Sequence, residues 1–211
     1  MNLFPVSEIF GPTIQGEGIY VGCKAVFIRF AGCDSDCDFC DTAYAKNTSG
    51  VPKFSEEEII STVRGMKAPI AVLTGGNPLL YQLGNLVDRL LLIFREVHVE
   101  TQGTIWKDWL PYATFNTISP KRNAMNLDVL TRMVNDRCQI KVVVFNDDDY
   151  AFAKDIHLKF PHVPFIFQVG HPSDDRGRWL AEKVSNDAGL GHNARVLTQL
   201  HRTFWGSKRG I

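Results

Sequence analysis

The chain has 211 residues, 45% hydrophobic and 22% charged, with 23 Lys and Arg balanced by 23 Asp and Glu; a sequence of this size and balance builds one globular domain over residues 1–211. Zero net charge argues against the broad basic footprint of unspecific nucleic-acid binding, leaving room only for a local basic patch, and against an acidic or disordered tail. Five cysteines, an odd number with Cys33, Cys37 and Cys40 crowded together, exclude a disulfide framework. The first twenty residues hold no Lys or Arg and no apolar stretch of secretory-signal length, which reads as cytoplasmic. Residues 68–87 are uncharged, but their three Gly, two Asn and Pro78 exclude a membrane span.

In chain order, a Gly-rich N-terminal segment precedes an apolar run predicting a strand over Ala25–Ala31. A helix follows within residues 53–66. Ser55 and Glu58 form a capping box there, and Ile59, Ile60, Val63 and Met66 share one stripe. Further strands are predicted at Ile70–Thr74, Glu96–Thr101, Thr114–Ser119, Gln139–Phe145 and Val163–Val169. The segments between them predict helices at Gln82–Phe94, Met125–Val134, Asp148–Lys159 and Asp175–Asp187, with Asp147, Asp148 and Asp149 complementing a helix N-terminus. Six βα units are too few for an eight-stranded barrel, so an incomplete barrel and an open doubly wound sheet both fit. In either, the loops at the carboxyl ends of the strands build the site.

The first predicted strand runs directly into GCDSDCDFCDT, which puts Cys33, Cys37 and Cys40 in such a loop with C-x3-C-x2-C spacing. Three thiolates from one loop can hold three corners of a [4Fe–4S] cluster and leave one iron open. A structural zinc ion would need a fourth ligand, from Cys23, Cys138 or a histidine, and no second ligand pair follows in sequence. A redox C-x2-C would leave Cys33 without a role. Cys23 and Cys138 read as unliganded thiols.

The C-x3-C-x2-C loop, with Phe39 just before its last cysteine, resembles the cluster loop of radical S-adenosylmethionine enzymes. The resemblance implies that the open iron chelates S-adenosylmethionine and that an electron, from a donor such as flavodoxin or ferredoxin, cleaves it to a 5′-deoxyadenosyl radical. EIFGPTIQGEG (8–18), CDT (40–42), LTGG (73–76), ISPK (118–121) and the tail QLHRTFWGSKRGI (199–211) resemble, more narrowly, the 7-carboxy-7-deazaguanine synthase family. That implies a homodimeric lyase built as an incomplete (βα)6 barrel, an α/β fold with an N-terminal extension and a C-terminal tail folded over the site. It further implies Mg²⁺-assisted ring contraction of 6-carboxy-5,6,7,8-tetrahydropterin, with loss of ammonia, and regeneration of S-adenosylmethionine at each turnover.

Each residue carried over has its own chemistry. Ile14, Gln15, Gly16 and Glu17 would meet the polar edge of the pterin, with Glu17 accepting from its N–H groups. Arg29, a cation in an apolar strand, needs a buried partner, and the substrate carboxylate would suit it. Thr42 would bind Mg²⁺ through its hydroxyl. Thr74, Gly75 and Gly76 would bring backbone close to ligand. Where the family usually carries Glu in GGEP this chain has Asn77, so a charged contact to the amino group of S-adenosylmethionine is expected to be lost and Asn77→Glu to tighten binding. Glu100, Thr101, Gln102, Ser119, Pro120, Lys121 and Gln168 would contact the same cofactor from strand ends. His201 and the terminal carboxylate of Ile211 would reach the pterin from the tail, which has Thr198 where relatives usually have Pro. Two other readings are a small activase that installs a glycyl radical on a partner enzyme and a non-catalytic zinc module; neither accounts for the IQGEG loop, Arg29 and the tail together.

Overall fold

The computed structural model describes residues 2–170 and 174–211. All six predicted strands are present, displaced by no more than two residues at either end: β2 (Lys24–Phe30), β4 (Ile70–Gly75), β5 (Glu96–Thr101), β6 (Phe115–Ile118), β7 (Cys138–Val144) and β8 (Phe165–Val169). Three more lay outside the sequence reading: β1 (Leu3–Ile14), β3 (Lys53–Ser55) and β9 (Ala194–Leu197). All nine form one sheet in the order β3-β1-β2-β4-β5-β6-β7-β8-β9. From β2 onward the strands are parallel, and β1 joins both neighbours antiparallel.

β1 hides from sequence inspection because Gly11 and Pro12 interrupt it and its register with β2 slips between Phe10 and Thr13. Past its short pairing with β3, β1 is a sheet edge, where Pro12 removes no ladder bond. Helix α1 (Glu56–Val63) starts at the predicted capping box, Ser55 N–H donating to Glu58 at 2.7 Å and Glu58 N–H to the Ser55 hydroxyl at 3.3 Å. Helices α2 (Gly84–Leu91), α3 (Leu127–Met133), α4 (Asp147–Lys159) and α5 (Asp174–Ser185) lie within the predicted segments or one residue beyond, α2 losing both predicted ends to turns. Asp147, Asp148 and Asp149 form the first turn of α4 behind an Asn146 cap. A short α6 (Leu200–Trp205) follows β9.

The two-residue period of the strands decides where the site can be. One parity, including Val26, Ile28, Phe30, Leu73, Val99, Ile140, Val142, Phe165 and Phe167, packs under α1, α2, α3 and α4 in the main apolar core. The opposite parity carries Arg29, Thr74, Glu100, Thr117, Gln139 and Lys141. Parallel register pairs Arg29 with Thr74, Glu100 with Thr117 and Thr117 with Gln139, so a polar row crosses the sheet on the face turned away from those helices. Among the described residues, no helix is long and apolar enough to cross a membrane.

Candidate active site

A cavity of about 410 Å³ sits over this polar face. The loop after β2 supplies one wall, the ends of β4 to β7 the floor, the N-terminal Gly-rich segment a second wall, and α6 with the chain terminus the cover. Cys33, Cys37 and Cys40 all line it. The loop that carries them is pinned by close backbone approach: Gly76 N–H donates to Phe30 O at 3.0 Å and Asn77 N–H to Gly32 O at 2.7 Å. A Cβ on Gly76 would lie 1.9 Å from Gly32 O, and one on Gly75 2.0 Å from Phe30 O, with Gly75 at φ +132°. The space these two glycines leave is therefore filled by the cysteine loop itself and not by a ligand, although both still border the cavity.

Three cysteines from one loop, all bordering the cavity, offer three of the four corners of a [4Fe–4S] cluster and leave one iron open toward the cavity. Burial pushes the Cys37 thiol up, against the pull of Lys121 and reinforced by the charges of Cys40 and Cys33. Cys138 is buried and bonded to the Asn135 carbonyl, and Cys23 is exposed, so neither adds a fourth ligand.

A charged network lines the same cavity. Lys141 Nζ pairs with one oxygen of Glu17, and Gln199 Nε2 donates to the other at 2.6 Å. Burial would raise the Glu17 carboxyl, but the adjacent Lys141 charge, the hydrogen bonds from Lys141 and Gln199 and the more distant His201 outweigh it and hold the group at about 2. Glu17 raises Lys141 in return, against the effect of burial. Lys121, buried next to Lys141, is pushed down from its ordinary value and donates to Ser119 Oγ at 2.8 Å. Gln15 donates to Glu100 at 2.9 Å, and Thr74 to the other Glu100 oxygen at 2.8 Å. Arg29 Nε donates to Glu8 at 2.8 Å, and Tyr44 Oη donates to the same oxygen at 2.5 Å.

The tail reaches this network directly. Leu200 N–H donates to Gly16 O at 2.9 Å, and any Cβ on Gly16 would lie 2.0 Å from His201 Nδ1, so only glycine lets α6 dock here. Arg209 stacks on Tyr44 with its guanidinium carbon 3.4 Å from the ring centre, and Ile211 borders the cavity.

Of the residues singled out from sequence, Ile14, Gln15, Gly16, Glu17, Arg29, Thr42, Thr74, Gly75, Gly76, Glu100, Thr101, Gln102, Ser119, Lys121, His201 and Ile211 border the cavity together with the three cysteines. Asn77, Pro120 and Gln168 do not. Asn77 has no exposed surface; its carbonyl accepts from Leu79 N–H and Thr101 Oγ1, and its Nδ2 donates to Asp34 at 2.8 Å. The Asn77 side chain is thus an internal brace that ties the end of β4 to β5 and to the cysteine loop. Pro120 is buried away from the cavity, and Gln168 Nε2 donates to Leu197 O, tying β8 to β9. Glu17 borders the cavity with both oxygens already engaged, which makes it an anchor of the tail before it is a substrate contact. Sequence reasoning missed Glu8, Tyr44, Lys141 and Gln199. The signal that marks Arg29, a cation within an apolar strand, also marks Lys141 in QIKVVV.

Comparison with known proteins agrees with this geometry. The Radical SAM superfamily model matches residues 27–139. A 7-carboxy-7-deazaguanine synthase of Bacillus subtilis (strain 168) is 40% identical over 239 aligned positions, covering 98% of both chains. The chain belongs to the 7-carboxy-7-deazaguanine synthase family. The synthase of Bacillus cereus is 37% identical over 242 positions and all of both chains. Both alignments exceed the 211 residues present here, so these synthases carry insertions that this family member lacks. The crystal structure of QueE from Escherichia coli superposes with a TM-score of 0.78 at 25% identity, covering 94% of this chain and 95% of that one. Membership of this radical SAM family brings with it a [4Fe–4S] cluster and S-adenosylmethionine.

Proposed function

We propose that the chain catalyses conversion of 6-carboxy-5,6,7,8-tetrahydropterin to 7-carboxy-7-deazaguanine with release of ammonia, as a cytoplasmic, single-domain homodimer. The observation that carries this reading is the joining, in one cavity, of three cysteines, a polar strand row headed by Arg29 and the chain terminus. Cys33, Cys37 and Cys40 would hold the cluster, which together with S-adenosylmethionine would supply radical chemistry at the substrate. Ser119 and Lys121 orient the cofactor from the end of β6, where the buried ammonium faces anionic groups without competing water. Glu8 occupies Nε of Arg29 and leaves the terminal nitrogens to grip the substrate carboxylate. Gln15, held by Glu100, and the backbone of Gly16 present donors and acceptors to the heterocycle edge. His201 and the Ile211 carboxylate close over it and exclude water.

Thr42, beside Cys40 at 3.7 Å, is the proposed Mg²⁺ ligand, since Mg²⁺ takes few protein oxygens alongside water and substrate anion. The sheet is proposed to curve as a partial barrel whose polar face is the lumen, and the electron to come from flavodoxin or ferredoxin. Anaerobic incubation of the reconstituted protein with the pterin, S-adenosylmethionine and reductant tests the reading: ammonia and a deazapurine absorbance should appear together. Ammonia-free cleavage of the cofactor, with a glycyl radical formed on an added partner enzyme, would support an activase instead. A colourless protein with stoichiometric zinc would end both.

A further inference from the structure

We infer that Gln102 is a positioning residue that raises the reduction potential of the cluster through an N–H···S hydrogen bond to Cys33, a role beyond contact with S-adenosylmethionine. Gln102 follows β5 and is buried; its Nε2 lies 3.5 Å from Cys33 Sγ and 2.5 Å from Asp34 Oδ1. A carboxamide can ordinarily be turned end for end, but here its orientation is set by its neighbours. Asp34 is acceptor-only when ionised, so the group facing it must be the NH₂ and not the carbonyl. Asp34 is in turn held by Asn77 Nδ2 at 2.8 Å and by the Thr104 hydroxyl, while Asn77 is itself locked by Leu79 N–H and Thr101. The second proton of the same NH₂ group is left for the sulfur.

The electrostatic consequence has a definite sign. One-electron reduction adds negative charge to the cluster and its thiolates, so a donor on Cys33 stabilises the reduced form and raises the potential. The ionised Asp34, adjacent to Cys33, acts in the opposite direction, and its three donors Asn77, Gln102 and Thr104 disperse that charge.

The inference rests on Cys33 being a cluster ligand, and the test separates the two. Reconstituted wild-type protein and Gln102→Leu are titrated potentiometrically, with the reduced cluster followed by electron paramagnetic resonance. The ratio of reduced to oxidised cluster at a fixed solution potential should fall about tenfold in the variant, equivalent to a downward shift of about 59 mV for a one-electron couple, with iron and sulfide content unchanged. Wild-type protein carrying ¹⁵N in its glutamine side chains should also show a weak nitrogen coupling to the reduced cluster in pulsed resonance, which keeps the question decidable if the variant assembles poorly. An unshifted potential in a fully loaded variant, or no ¹⁵N coupling in wild type, overturns the role of Gln102 alone. A wild-type protein that binds no cluster overturns the assignment of Cys33 and this inference with it.

Discussion

Replacing Lys141 with methionine isolates the buried ion pair that fastens the N-terminal loop to the sheet beneath the tail. In the folded protein the Glu17 carboxyl is held at about 2 against an ordinary 4.5, a gap equivalent to about 3 kcal/mol. Because the folded-state value is depressed, that stabilisation is complete above pH 4.5 and is lost only as the pH falls toward 2. The partner Lys141, raised above 10.5, contributes fully below that value, so between pH 5 and 8 the wild-type pair is insensitive to pH. Lys141→Met leaves Glu17 buried without its nearest counter-charge, with only Lys121 and His201 farther off, which costs about 3–5 kcal/mol at pH 7. The sign of the pH dependence then inverts: burial alone raises a carboxyl, so the variant should gain stability as the pH drops from 8 to 5 while the wild type does not. Urea unfolding of both proteins across that range, under anaerobic conditions, measures the difference. His98 and His157, both lowered by burial, titrate alike in the two proteins and cancel. The double variant with Glu17→Gln should recover most of the loss. A Lys141→Met protein within about 1 kcal/mol of wild type at pH 7 and with no inversion would refute the claim that the pair is sealed from water.

Deleting Gly210 and Ile211 should raise KM for the pterin about tenfold or more while leaving iron content intact, since the terminus borders the cavity but is remote from the cysteine loop's backbone bonds; steady-state kinetics and iron analysis read both, and an unchanged KM would make the tail inert. Asn77→Glu should destabilise the protein by about 2–4 kcal/mol, because it sets a second carboxylate against Asp34 at a site with no solvent access; thermal unfolding measures this, and a stable variant that binds S-adenosylmethionine more tightly would show the position to be a ligand contact after all. Gly76→Ala should prevent stable cluster assembly, since its methyl would overlap the Gly32 carbonyl; full iron content in a folded variant would contradict that.

Much of the site was legible because its signals are local. Cys33, Cys37 and Cys40 lie within one loop, the capping box of Ser55 and Glu58 spans one helical turn, and Arg29 stands out in an apolar strand. Family resemblance added Gln15, Gly16 and the tail, which no local rule marks. The bracing contacts of Asn77 were not legible because its partners Asp34 and Thr101 lie 43 and 24 positions away in sequence. Glu8 was missed for the same reason, its partners Arg29 and Tyr44 coming from other elements.

By itself, then, the sequence determined the elements whose causes are near neighbours: apolar runs of strand length, a capped helix, and three thiols close enough along the chain to share one group. Only the tertiary structure decided which side chains face one another across the sheet, because strand register and tail docking arise from contacts between residues far apart in the chain, such as Gln199 and Glu17, 182 positions apart. The same placement sets Gly75 and Gly76 against neighbouring backbone and makes Asn77 a brace between strands and the cysteine loop.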